Sequence, residues 1–105
     1  MSKRLAYLEK VVADGTADSF ALYALALEYK GLGRVEDARR TFETLKAKDA
    51  SYLPMYLMCG TTLLDAGDAA GARGWLEEGA SLARSKGDAK ALGEIEDALS
   101  RTPAS

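Results

Sequence analysis

The sequence contains no histidine, one cysteine and two prolines in 105 residues. Without imidazoles, and with Cys59 the lone thiol, a zinc site of the His/Cys type has no ligand set and an internal disulfide has no second sulfur. Asparagine is missing altogether. Valine and isoleucine, three and one, are too scarce to furnish a sheet. No apolar run approaches the roughly 20 residues of a membrane span. The opening MSKRLAYLEK returns to charge at Glu9 and Lys10 before the apolar stretch of a leader forms. Fourteen basic and 16 acidic residues leave a net charge of −2, which supplies no positive field to gather phosphates. The expectation is a soluble cytoplasmic protein, without nucleic-acid or membrane partners and without a cofactor, stabilised by packing.

What is abundant is helix-forming: 19 Ala and 15 Leu. Gly and helix-start residues divide the chain into six predicted helices, at residues 3–14, 19–31, 35–48, 52–66, 69–86 and 89–101. Asp18, Ser51, Asp68 and Asp88 are placed to cap the helices that follow them, and Glu36 and Asp37 favour the positive start of the third. Gly15, Gly33, Gly67 and Gly87 close helices or open turns. The short connections suit antiparallel neighbours, and the length suits one domain.

A shift of 34 residues superposes the chain on itself: Gly33 meets Gly67, Ala38 meets Ala72, Arg39 meets Arg73, and Glu43 meets Glu77. Leu22 likewise meets Tyr56, and Ala26 meets Gly60. Leu8, Phe42 and Leu76 recur at two successive steps, each followed by Glu. The pattern predicts an N-terminal half repeat at 3–14, repeats at 19–52 and 53–86, and a capping helix at 88–101. Small residues at Ala26, Ala38, Gly60, Ala72 and Gly79 allow close helix approach, and large residues beside them fill the gaps. In the last helix Ala91, Leu92, Ile95, Ala98 and Leu99 form an apolar stripe opposite Lys90, Glu94, Asp97 and Arg101, as suits a terminal cap.

On these residues the chain resembles the tetratricopeptide repeat family, whose 34-residue unit is a helix, a turn and a second helix. The first repeat matches at Leu22, Leu25, Ala26, Tyr29, Gly33, Ala38 and Phe42, and the second at Tyr56, Cys59, Gly60, Leu63, Gly67, Ala72 and Leu76. Ala50 and Arg84 stand where the family has a closing Pro, and Leu45 where a small residue is usual. The resemblance implies an all-α, right-handed superhelical stack of antiparallel helix hairpins. It also implies a non-catalytic role in which the first helices of each pair line a concave groove that docks peptides.

Both first helices carry an apolar stripe beyond the one their hairpin needs. On the first it is Phe20, Tyr23, Ala24 and Leu27; on the second, Leu57, Met58, Thr61 and Leu64. By the resemblance these fall on groove positions, with Lys30 and Asp65 at equivalent places able to orient a ligand or to stand as solvated charges. The alternative for the stripe is packing on a neighbouring helix, which suits Ala24 and Met58 best. A peptide, a partner's amphipathic helix or a second copy of the chain are the candidate occupants. One branch of the family clamps the C-terminal carboxylate of heat-shock chaperones with Lys, Asn and Arg. Here those places hold Tyr23, Leu27, Leu57, Met58 and Thr61, so that ligand is not expected.

No catalytic constellation is visible. Cys59 falls in a hairpin stripe with no base to activate it, and Glu77, Glu78, Glu94, Glu96 and Asp97 read as solvated faces. Gly71, Gly74 and Gly79 lack the Lys and Ser or Thr of a phosphate loop. Trp75, near Leu82, reads either as an exposed anchor for a second interface, including a homodimer, or as a ring packed under the capping helix.

Overall fold

The computed structural model describes residues 2–103, and all regular structure among them is helical: α1 (Lys3–Ala13), α2 (Ser19–Gly31), α3 (Val35–Lys48), α4 (Pro54–Asp65), α5 (Ala69–Lys86) and α6 (Ala89–Ser100). The caps explain most of these starts. Asp18, Asp68 and Asp88 accept hydrogen bonds from the backbone N–H groups of Ala21, Gly71 and Ala91 at 2.8, 2.9 and 3.0 Å. Ser2 Oγ does the same for Leu5 N–H at 3.0 Å. Ser51 does not cap α4, contrary to the sequence expectation. The helix begins at Pro54 after an N-cap Leu53 whose side chain makes no capping bond. Proline explains the shift: its fixed φ suits the first helical position, and its missing N–H is one that needs no partner there. α1, α4 and α6 each end one residue earlier than predicted.

Gly33 and Gly67, one repeat step apart, both adopt left-handed φ, at 74° and 89°. Each turns the chain between the two helices of a hairpin, where a side chain would cost about 1 kcal/mol or more.

The chain forms two compact units, one running to Ala50 and one from Ser51. In the first, α2 packs most extensively on α3 and less on α1. Leu22, Leu25, Ala26, Ala38 and Phe42 are buried, and Leu45, the large residue at a usually small position, is fully enclosed. α1 contributes Leu5 and Leu8 to the interior. Two polar links also hold it to α2: Tyr29 Oη donates to Glu9 Oε2 at 2.5 Å, and Arg4 pairs with Glu28 at 3.0 Å. Ser19 Oγ donates to Asp49 at 3.1 Å, joining the start of α2 to the end of α3.

In the second unit α5 packs on both α4 and α6, and α6 also touches α4. Met55, Tyr56, Cys59, Leu63, Leu76, Ala83, Ile95 and Ala98 are buried. Gly79 lets α5 approach: a Cβ there would lie 2.6 Å from Tyr56 Cβ and 3.2 Å from Ile95 Cδ1. Beyond α6 the chain folds back on α5, where the Arg73 guanidinium donates to the Pro103 carbonyl at 2.6 Å. α6 therefore covers the second hairpin through its Ile95 and Ala98 side.

Candidate binding surface

The extra apolar stripe of α4 opens into a cleft. Leu57, Met58 and Thr61 form its α4 wall, and Ala89, Lys90, Gly93, Glu94 and Asp97 of α6, with Arg101 just past its C-terminus, face them across about 520 Å³. All three α4 residues are half-buried. The hydroxyl of Thr61 donates to the Met58 carbonyl at 3.2 Å, so its polar atom is engaged within the helix. Met58 thus lines an open cleft where sequence reasoning favoured a packed position. Leu64 is half-buried further along α4, and Asp65 is exposed at its end.

The charged row of α6 is the part that sequence reasoning missed. Lys90, Glu94, Asp97 and Arg101 do lie on the polar side of the helix, but that side borders the cleft rather than standing apart from it. Their even spacing on one helical face was the available signal. Nothing in the sequence says what such a face looks at.

In the first unit, the corresponding α2 residues occur in graded exposure. Phe20 is 66% exposed, Tyr23, Leu27 and Lys30 are half-buried, and Ala24 is buried, as its small size suggested. Tyr7 and Leu32 are the other large exposed apolar residues, at 66% and 54%. A smaller cleft of about 290 Å³ lies between α1 and α3, above Leu22, Leu25 and Tyr29 of α2. Its hydroxyls are already engaged: Tyr29 with Glu9, Thr41 with the Asp37 carbonyl at 2.8 Å, and Thr44 with the Arg40 carbonyl at 3.1 Å. Burial first, and the Glu9 hydrogen bond and charge second, push the Tyr29 phenol up to about 12.

Trp75 takes neither of its two expected positions in full. It is half-buried against Tyr56 of α4, with ring centroids 5.9 Å apart and planes tilted by 51°. Leu82, two turns along α5, is half-buried as well. Cys59 is fully enclosed, as its place in the hairpin stripe predicted. Among the described residues no helix is long and apolar enough to cross a membrane, and no group of three acidic or thiol side chains gathers as a cation site.

A family model described as tetratricopeptide repeat matches residues 19–44 and 56–78, which span α2 with most of α3 and α4 with half of α5. No curated protein matches the chain. Among solved structures, a protein of Bordetella parapertussis superposes with a TM-score of 0.83 at 28% identity, covering 97% of this chain and 89% of that one. A tetratricopeptide repeat domain protein from Salinibacter ruber superposes in its solution structure at 0.74 and in its crystal structure at 0.73, at 29% identity over 81% of this chain. Those alignments cover 86% and 96% of the Salinibacter chains. Two matched repeats in the phase of the 34-residue recurrence, on a shared helical fold, place this chain in the tetratricopeptide repeat family, whose members generally serve as protein–protein interaction modules.

Proposed function

We infer that the protein is a non-catalytic docking module that takes an apolar peptide or amphipathic helix on the extra apolar stripe of α4, with α2 carrying a stripe of its own. The observation that carries this reading is the α4–α6 cleft, where three half-exposed apolar or near-apolar side chains lie open beside ionic residues. A peptide side chain seated there gains about 25 cal/mol for each Å² of apolar surface removed from water. Phe20, Tyr23 and Leu27, with Lys30, offer a second patch of the same character on α2. The role is that of a small cytoplasmic adaptor or scaffold.

Selection from a displayed library of random peptides tests this. Enriched peptides are expected to be apolar on one side and to bind the parent chain, while a Leu27→Asp/Leu57→Asp double variant keeps its helicity and loses them. Undiminished binding by that variant overturns the reading. Self-association is the second reading, favoured by the exposed Phe20. Light scattering over a concentration series would show it as a mass that doubles.

A further inference from the structure

The cleft beside α6 carries a sign pattern in addition to its apolar wall. Lys90, Glu94, Asp97 and Arg101 are all exposed and recur at steps of four, three and four residues. That spacing holds them within about 60° of one another around the helix axis, over a length of about 16 Å. In order, the row reads positive, negative, negative, positive. Glu96 is not part of it, since it pairs with Arg84 of α5 at 3.5 Å. The row is largely uncommitted: its internal ion pair, Arg101 with Asp97, is 3.9 Å long and solvent-exposed on both sides.

We propose that this cleft takes an amphipathic helix of another protein whose flank carries acidic, basic, basic and acidic residues at the same four, three, four spacing, with its apolar edge on Leu57, Met58 and Thr61. This rests on the reading of the cleft as a docking site. A helix is the form that fits, because a second α-helix has the same rise and sets four residues at those intervals on one side. An extended segment rises about 3.3 Å per residue and alternates faces, so it cannot meet all four charges from one side at that spacing. Both the spacing and the signs read the same from either end. The row therefore selects the partner's charge order without fixing which way its helix runs.

The same symmetry discriminates against a second copy of α6. Paired antiparallel in register, Lys90 meets Arg101 and Glu94 meets Asp97; paired parallel in register, each residue meets itself. Every contact is then between like charges, which is how an interface rejects a wrong partner.

Three stapled helical peptides with one leucine edge form the test: a matched peptide (Glu, Lys, Lys, Glu at the four flank positions), a swapped one (Lys, Glu, Glu, Lys) and a neutral one (four Gln). Fluorescence anisotropy is expected to show the matched peptide binding about tenfold or more tighter than the swapped one, since four exposed pairs each contribute a little. The gap should narrow as salt is raised. The fourfold variant K90E/E94K/D97K/R101E, with helicity checked by circular dichroism, is expected to invert the preference. Equal binding of matched and swapped peptides, still abolished by Leu57→Asp, overturns the charge code but leaves the docking cleft standing. Failure of all three peptides to bind overturns both, and matched binding indifferent to Leu57→Asp overturns the location.

Discussion

A Cβ on Gly60 would stand 2.5 Å from both Cγ and Cδ2 of Leu76, a side chain with no exposed surface. Alanine is the better helix former by about 1 kcal/mol, but overpacking an enclosed site costs roughly 1–3 kcal/mol. Because Cγ sits near the root of the leucine, it cannot swing clear without a new rotamer. Gly60→Ala is therefore expected to destabilise the protein by about 1 kcal/mol in urea unfolding. Gly74→Ala, on an exposed part of α5 with open space around it, is expected to stabilise by about 0.5–1 kcal/mol. A Gly60→Ala variant more stable than the parent would mean that α4 and α5 have slack at their crossing.

Tyr29 links stability to alkaline pH. Its folded pKa of about 12 lies above the ordinary value of 10.0, so the neutral phenol is the form that folding favours. The stabilisation is then fully present below pH 10 and fades as pH rises toward 12. Tyr29→Phe is expected to lose about 0.5–1.5 kcal/mol at neutral pH through the missing bond to Glu9. Denaturant melts of parent and variant should differ by a constant amount up to about pH 10 and converge above it. A difference that widens with alkali would contradict the assigned direction.

Asp88 caps α6, which carries Lys90, Glu94 and Asp97 of the cleft's charged row and ends at its fourth member, Arg101. Asp88→Ala is expected to cost about 1 kcal/mol, read as a lowered urea midpoint. A substitution without effect would show that Gly87, in its left-handed conformation at φ 70°, is enough to set the start of the helix.

Cys59 has no exposed surface, so a thiol reagent such as Ellman's is expected to leave the native protein unmodified and to label one thiol per chain in guanidinium. Rapid native labelling would mean that α4 opens locally at its centre.

The sequence was most legible where the physics is local. Asp18, Asp68 and Asp88 cap as their positions suggested, and Gly33 and Gly67 take the backbone conformation that favours glycine. The 34-residue recurrence located the hairpins because Ala26, Gly60 and Gly79 sit where helices touch closely, and small size is visible in a sequence. Ser51 misled because two signals competed, and the conformational preference of Pro54 prevailed over a hydroxyl three residues upstream. The Tyr29–Glu9 bond, across 20 residues, left no local trace. Lys90, Glu94, Asp97 and Arg101 show the same limit at the cleft. Periodicity grouped them correctly on one face, but a face acquires a role only from what the fold sets opposite it.

Among the described residues, α1 meets the rest of its unit through interior Leu5 and Leu8, half-buried Val12, the bond from the Tyr29 phenol and the Arg4 guanidinium, while Lys3, Ala6, Tyr7 and Lys10 face water. Opening such a helix breaks little, so its amides should be the first of their unit to exchange with deuterium, well before the unit melts. A protein assembled in this way has a fraying edge beside a durable interior, and proteolytic nicking would begin at that edge while α2 and α3 remain protected.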